Sequence, residues 1–149
     1  MDDYGVEMTD EEINSFLTRR GHGVLSFGGD RPYAVPISFG YDASENRCVL
    51  QLVNVEDSKK QRYLDESSTV HLAAYEWQGV DDWRSVLIDG HLSPIPSDTA
   101  GEIDAADIFF EYADAVSLTI FDRPTAELEP EWYELRIEAM SGRKSPSTG

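Results

Sequence analysis

Residues 31–41 read Arg31-Pro-Tyr-Ala-Val-Pro-Ile-Ser-Phe-Gly-Tyr41 (RPYAVPISFGY), and this stretch decides the fold. Its residues alternate as in a β-strand, but Pro36 stands in the middle and has no backbone N–H to give to a neighbouring strand. Proline within sheets is confined to edges and bulges. The stretch therefore predicts an edge strand, a bulge, or a surface that faces something other than another strand.

Further short strand-like segments with turn signals between them lie on both sides of this stretch. The predicted strands cover residues 22–27, 33–41, 48–53, 69–75, 83–92 and 131–140. This spacing predicts an antiparallel sheet or barrel. In the last strand, alternation predicts that Tyr133, Leu135, Ile137 and Ala139 share one face.

Helices are predicted at the periphery of the strands. Within residues 1–20, Thr9-Asp-Glu-Glu12 forms a capping box ahead of an apolar stripe of Ile13, Phe16 and Leu17. A short helix is predicted over residues 57–65.

A further helix begins at a second capping box, Thr99-Ala-Gly-Glu102. Its apolar face is expected to contain Ile103, Ala106, Phe110 and Ala113. Residues 145–149 form a tail that we expect to be frayed.

The composition indicates one soluble domain over residues 1–149 with an extreme charge. The chain has 29 acidic and 12 basic side chains, for a net charge of −17. Salt screens the resulting self-repulsion, so the economical interpretation is a halophilic protein from a high-salt cytoplasm. An acidic face for a basic partner is the weaker alternative, and nucleic-acid binding is disfavoured by the sign of the charge. No apolar run reaches membrane-spanning length, so we expect a cytoplasmic protein without a membrane partner.

Two of the three lysines, Lys59 and Lys60, lie in the first turn of the short helix predicted over residues 57–65. Cations at a helix N-terminus oppose the helix dipole, and an anionic ligand such as a phosphate would reverse that penalty. The alternative is a solvated helix whose lysines pair with Asp57, Asp65 and Glu66. Both interpretations stand, with the phosphate favoured.

Side chains with obvious catalytic or metal-binding spacing are not found. His22, His71 and His91 lie alone on different predicted strands, so we expect no metal site. Cys48 lies in a strand-like run and is expected to be a buried structural thiol. The catalytic residues are unknown at this stage.

Four stretches together carry a resemblance to a known family. They read GVLSFGGDRPYAVPISFGYD, DSKKQRYL, WRSVLIDGHL and YELRIEAMSGRKS, in this order over residues 20–145. In this the chain resembles the FMN-binding split barrels of the pyridoxamine 5'-phosphate oxidase-like superfamily, in its flavin-reductase and nitroimidazole-reductase branches. The resemblance implies a mainly-β, antiparallel split β-barrel with peripheral α-helices.

The resemblance also implies a flavin site and its chemistry. The strand at residues 33–38 would run beside the flavin ring, Val53 and Asn54 would lie near the ribityl chain, and Lys59 and Lys60 would hold the phosphate. The cofactor-binding residues implied in this way are Tyr33, Ala34, Val35, Pro36, Ile37, Ser38, Val53, Asn54, Lys59, Lys60, Trp83, Arg84 and Ser85. Backbone donors of residues 35–38 would stabilise the reduced ring, so no side-chain acid or base is required.

The implied function is an FMN-dependent oxidoreductase that takes electrons from NAD(P)H and passes them to a small-molecule acceptor. Such proteins bury the flavin between two protomers, so we expect a homodimer with FMN at the interface. A surplus of apolar strand residues supports this expectation: Val86, Ile88, Tyr133, Leu135 and Ile137.

The chain departs from the vitamin-forming oxidases of the superfamily at two places. Those enzymes have a lysine where Ser38 stands, and an arginine–histidine motif where this chain has Ser141-Gly-Arg-Lys144. Oxidation of pyridoxamine 5'-phosphate itself is therefore not expected. A flavin-binding or electron-transfer module without turnover, and a flavin-free small-ligand barrel, are the alternatives.

Overall fold

A computed structural model describes residues 5–28, 33–53, 69–96, 100–113 and 130–146. In chain order the elements are β1 (Val6–Glu7), α1 (Asp10–Arg19), β2 (His22–Phe27), β3 (Tyr33–Asp42), a 3-10 turn (Ala43–Glu45), β4 (Arg47–Val53), β5 (Thr69–Gly79), β6 (Asp82–Pro94), α2 (Ala100–Tyr112) and β7 (Pro130–Lys144). The short helix predicted over residues 57–65 lies outside the described residues.

The strands close into an antiparallel barrel. The order around it is β7-β4-β3-β2-β5-β6, and β6 pairs with β7 again to complete the circle. Strand β1 lies outside and pairs with the end of β7. A mainly-β antiparallel barrel with peripheral helices, as the sequence predicts, is confirmed.

Alternate residues of each strand point into one core inside the barrel. Leu25, Val35, Leu72 and Leu50 belong to it, each from a different strand. Four of the residues that we took as surplus for a dimer interface also belong to it, namely Val86, Ile88, Tyr133 and Leu135, and Ile137 packs against it. The barrel needs these side chains itself, so that argument for a dimer was wrong.

Helix α1 closes one end of the barrel. Its capping box is present, because Thr9 accepts from the Glu12 N–H while the Glu12 carboxylate accepts from the Thr9 N–H. Ile13, Phe16 and Leu17 are buried as predicted. Strand β1, which precedes this helix, was not predicted from the sequence.

Helix α2 packs on the outside of the barrel largely with a different face from the one predicted, although Ala113 packs there as expected. Ala105 and Phe109 are buried, whereas Ile103 is 65% and Phe110 71% exposed. The reason lies in the sheet: a Cβ at Gly40 would come within 2.7 Å of the Ile108 carbonyl oxygen, so this glycine lets the helix backbone approach closely. The face of α2 that is buried is therefore determined by its contact with the sheet and is not determined by the hydrophobic pattern of the helix. Thr99 lies outside the described residues.

A bulge changes the face pattern of β7. Ile137 is opposite Gly90 and Ala139 is opposite Asp89, so Glu138 is the extra residue. Beyond it the alternation is reversed, and Ala139 is exposed while Met140 packs against the core. The prediction that Ala139 shares the face of Leu135 was therefore wrong.

The first residue of the expected tail is held in place. Ser145 is buried, its hydroxyl accepts from the Trp83 N–H at 3.2 Å, and its own N–H donates to the Trp83 carbonyl at 3.0 Å. Residue 145 is therefore not frayed, contrary to expectation. Residues 147–149 lie outside the described part of the chain.

Candidate ligand site at the open edge of β3

Strand β3 has two halves with different neighbours. Residues 39–42 pair with β4, and residues 33–38 pair with β2 on one side. Among the described residues, no strand pairs with residues 33–38 on the other side, because β4 turns away after Leu50 and continues along β7. We call this side of residues 33–38 the open edge.

Pro36 lies where a continuous β3–β4 ladder would need a backbone N–H. The Phe39 N–H donates to the Gly21 carbonyl at 3.0 Å, and in antiparallel pairs such bonds recur at every second residue. Residues 35 and 37 therefore direct their backbone groups to β2, while residues 34, 36 and 38 direct theirs to the open edge. If the β3–β4 register continued, Val53 would face Pro36. Proline has no N–H with which to complete that pair, which gives a physical reason why β4 separates from β3 at this point.

The open edge offers both kinds of polar backbone group. The Ala34 N–H and the Ala34 and Pro36 carbonyls point to it, and the groups of residue 34 lie about 7 Å, two strand residues, from those of residue 36. Ala34 and Pro36 are exposed, while Val35 and Ile37 lie in the core and Ser38 is buried. A flat heterocycle with donors and acceptors along one side fits this edge, so the donor set suits a flavin ring.

A band of apolar side chains continues from the open edge across the outside of the barrel. Pro36 is opposite Val24, Val24 is opposite Ala73, and Ala73 is opposite Leu87. Leu87 is 55% exposed and the neighbouring Tyr75 62% exposed. We call this band the outer wall.

The remaining predicted site residues fall into two groups. Val53 ends β4 on the far side of the opening, and Asn54, Lys59 and Lys60 lie outside the described residues. The group at Trp83, Arg84 and Ser85 lies on β6, three strand spacings or about 14 Å from β3 along the sheet. One protomer does not bring these two groups together.

The β6 group is itself engaged in local contacts. Trp83 is buried beneath Gly5, whose added Cβ would lie 2.7 Å from the indole ring. Arg84 contacts Glu76 at 3.3 Å, and Ser85 is opposite Tyr75. Trp83 and Arg84 thus have structural partners, and Ser85 faces outwards.

Two of the histidines contact carboxylates on the surface. His71 Nδ1 lies 2.6 Å from Asp89 Oδ1, and His91 Nδ1 lies 2.7 Å from Glu138 Oε2. His22 is opposite Ser38 on β2. In the described ranges, no three His, Cys, Asp or Glu side chains are grouped to hold a metal ion. Burial raises the pKa of the Cys48 thiol far above its ordinary value, which suits the structural role expected for it.

One cluster of charged side chains, three arginines around a glutamate, was not predicted from the sequence. Arg19 at the end of α1 lies 2.7 Å from Glu76, Arg20 lies 3.8 Å from the same carboxylate oxygen, and Arg84 lies 3.3 Å from the other. The hydrogen bond from Arg19 is the main reason why the pKa of Glu76 is below its ordinary value. Two adjacent arginines at a helix end were the available signal, but their convergence with Arg84 is tertiary.

A large groove lies elsewhere, between α2 and the 3-10 turn. Its volume is about 900 Å³, and its lining has six acidic side chains and two arginines. Arg47 already forms salt bridges with two carboxylates of this groove, at 3.0 Å from Asp42 and 3.2 Å from Glu134. An anionic phosphate ester is electrostatically disfavoured in this groove, so its size does not make it the flavin site.

Comparisons with known proteins agree with the fold. The family profile described as pyridoxamine 5'-phosphate oxidase matches residues 9–144. An FAD-binding protein from Mesorhizobium loti has a TM-score of 0.73 and 23% identity, covering 94% of this chain and 97% of its own. An FAD-binding protein from Mycobacterium smegmatis has a TM-score of 0.70 and 15% identity, covering 94% and 98%.

A third solved structure links the fold to a second cofactor. An FAD- and haem-binding protein from Mycobacterium smegmatis has a TM-score of 0.65 and 19% identity, covering 93% of this chain and 72% of its own. A comparison with curated proteins found no match. None of the helices in the described residues combines the length and apolar character needed to cross a membrane.

Proposed function

We propose that this chain, which belongs to the pyridoxamine 5'-phosphate oxidase family, binds one flavin non-covalently along the open edge of β3. The observation that carries the proposal is the interrupted pairing at Pro36 beside the exposed Ala34. Backbone groups of a buried strand are normally satisfied by a neighbouring strand, so an edge left open favours a ligand with matching groups.

The bound flavin is FMN, with its phosphate on Lys59 and Lys60. Two neighbouring lysines in a chain with net charge −17 are a local exception to its acidity, and they follow Val53 by a few residues. FAD is the competing form, because proteins of similar fold from Mesorhizobium loti and Mycobacterium smegmatis bind FAD. The binding experiment below separates the two.

The protein acts as an oxidoreductase that uses NAD(P)H as electron donor and a small molecule as acceptor. A bound flavin supplies the hydride chemistry, and the chain supplies binding, orientation and electrostatics. The Ala34 N–H donates to the polar side of the ring, and the rigid Pro36 fixes the edge along which it lies. Ser38 stands where the vitamin-forming oxidases have lysine, so pyridoxamine 5'-phosphate is not the substrate.

The flavin lies between two copies of the chain in a homodimer. A single protomer separates the open edge from Ser85 by about 14 Å along the sheet, so a second copy that brings its β6 residues to the open edge would let both groups contact the flavin ring. The outer wall, with the exposed Tyr75 and Leu87, is the surface that the two copies share. Tyrosine is among the residues enriched at such interfaces.

Flavin titration tests the proposal. The purified protein is titrated with FMN, FAD and riboflavin at constant high salt, and quenching of flavin fluorescence is followed. Ala34→Pro removes the N–H that points to the open edge without removing a bond to β2. Ala34→Val, the matched control, enlarges the side chain but keeps the N–H. We expect Ala34→Pro to bind FMN about threefold to tenfold more weakly than Ala34→Val, the effect of one hydrogen bond.

Absence of saturable FMN or FAD binding in the wild type would refute the proposed function. NAD(P)H oxidation with added acceptors then distinguishes an oxidoreductase from a module that binds flavin without turnover, since the module gives no rate above that of free FMN.

A further inference from the structure

The structure assembles three arginines around one carboxylate in a strongly acidic protein. Arg19, Arg20 and Arg84 converge on Glu76, and Arg84 also lies 3.5 Å from Asp82. Three positive and two negative charges leave this group with a net charge of +1, whereas the whole chain has −17. We call these three residues the arginine cluster.

Glu76 contacts all three residues of the arginine cluster. Its side chain is 13% exposed, while that of Arg19 is 53% exposed. The carboxylate is therefore largely covered, and Arg19 is the most exposed of the three arginines. Like charges brought this close repel each other, and one carboxylate balances only one of them.

Arg20 has a polar atom that the described structure does not satisfy. Its Nε is buried, and no hydrogen-bond partner for it is found among the described residues. Buried N–H groups are normally paired, so an internal ordered water is expected beside this atom, while an external anion would meet the terminal N–H groups of the guanidinium. This observation is independent of the net charge of the arginine cluster.

The arginine cluster also lies close to the open edge. Arg20 directly precedes Gly21, whose carbonyl accepts from the Phe39 N–H at 3.0 Å. Phe39 directly follows residues 33–38. The arginine cluster thus stands beside the end of the proposed flavin site, within the span of a dinucleotide.

We propose that Arg19, Arg20 and Arg84 bind the diphosphate group of a dinucleotide. The planar fork of arginine binds phosphate oxygens in pairs, and several arginines suit a ligand that spreads its charge over two phosphates. Two dinucleotides share this chemistry, the nicotinamide electron donor and FAD. This inference rests on the proposed function only for the choice between them.

The first experiment uses inorganic pyrophosphate as the probe. Its affinity is measured by calorimetry at constant ionic strength for the wild type, Arg19→Gln/Arg84→Gln, Glu76→Gln, and the control Arg136→Gln. Arg136 is an exposed arginine that pairs with Glu134 outside the arginine cluster. We expect the double variant to bind about tenfold more weakly, Glu76→Gln to bind more tightly, and Arg136→Gln to be unchanged.

The double variant is expected to weaken pyrophosphate binding and Glu76→Gln to strengthen it, and these opposite effects distinguish anion binding from a purely structural role. If the arginine cluster only braces the fold, Glu76→Gln lowers the melting temperature and pyrophosphate does not bind any of the variants. That result would overturn the proposal. Should the double variant fail to fold, the Nε–H NMR signals of the wild type give the answer: pyrophosphate must shift those of Arg19, Arg20 and Arg84 and leave that of Arg136 unchanged.

Dinucleotide titrations identify the source of the diphosphate. Loss of FAD affinity in the double variant with FMN affinity intact assigns the cluster to the flavin, and loss of NADH or NADPH affinity alone assigns it to the donor. If pyrophosphate binding depends on the arginine cluster but neither dinucleotide loses affinity, the assignment to a dinucleotide is wrong. Failure of the proposed function is distinct, because it leaves pyrophosphate binding in place while FMN and FAD do not bind.

Discussion

Replacing Pro36 with alanine tests whether this residue keeps the edge of β3 open. If the β3–β4 register continued beyond Phe39 and Leu50, Val53 would lie opposite Pro36, at a position where both strands would direct their backbone groups to each other. Pro36→Ala supplies the missing N–H, so the pair at residues 36/53 can form. At roughly 0.5–1.5 kcal/mol for each net hydrogen bond, the two N–H···O bonds of the 36/53 pair alone stabilise the closed form by about 1–3 kcal/mol.

A second effect of the substitution opposes this gain. Losing proline makes the unfolded chain more flexible, which lowers the free energy of unfolding by about 0.4–1 kcal/mol. We therefore expect the ligand-free variant to be as stable as the wild type or up to about 2 kcal/mol more stable. Binding at the edge must first break the new pair, so the about 1–3 kcal/mol gained by the closed form lowers flavin affinity about fivefold to 140-fold, since 1.4 kcal/mol corresponds to a factor of ten.

The assay combines flavin titration with amide hydrogen exchange. In the wild type without ligand, the Val53 N–H exchanges fast, and in Pro36→Ala it becomes protected. Pro94→Ala is the matched control, because Pro94 lies at the end of β6, which β7 and β4 separate from β3 in the barrel. If Val53 exchange and flavin affinity are the same in Pro36→Ala and Pro94→Ala, proline does not hold the edge open and the explanation of the opening is wrong.

Four further predictions follow from the charges and contacts of the chain. Stability should fall as salt is removed, because 29 acidic side chains repel each other over a longer range; an equal melting temperature in molar and in ~10 mM salt contradicts the halophilic interpretation. Lys59→Ala/Lys60→Ala should weaken FMN binding by roughly 1.5–3 kcal/mol for each lost charge-assisted bond and leave riboflavin affinity unchanged; an equal loss for both ligands in a titration would indicate a local folding defect. Gly40→Ala should lower the free energy of unfolding by about 1–3 kcal/mol, since its Cβ would meet the Ile108 carbonyl at 2.7 Å, and thermal melting checks this. Because the pKa of Glu76 in the folded chain is below its ordinary value of 4.5, its stabilising contribution is complete above that pH and is lost as the pH falls through the folded pKa; acid titration of stability should therefore be flatter in Glu76→Gln.

The strands on both sides of residue 36 could be predicted because alternation and turn signals are local. Strand β2 has the predicted bounds, and β3 differs by one residue. The face of α2 could not be predicted, because both flanks of this helix are apolar and the sheet glycine at position 40 selects one of them. The reversal after Glu138 depends on a bulge opposite Gly90, which has no signal in β7 itself.

The candidate site was predictable in part. Pro36 predicts an interruption of the β-ladder. The sequence does not show which residue would have been the partner of Pro36, because the assignment of Val53 follows from the register between β3 and β4. The arginine cluster was missed because Arg84 comes from a strand far along the chain. The apolar residues offered as a dimer surface were core residues, and Tyr75 and Leu87, which point outwards, occupy alternate positions that only the burial pattern identifies.

Amide hydrogen exchange of Ala34 with and without FMN tests the central claim most directly. The claim is that the backbone of the open edge, and no side chain, holds the polar side of the flavin ring. We predict that saturating FMN slows exchange of the Ala34 N–H at least tenfold, while the Val35 N–H, which points to β2, changes little. Exchange of Ala34 that stays fast in the presence of FMN would contradict the account.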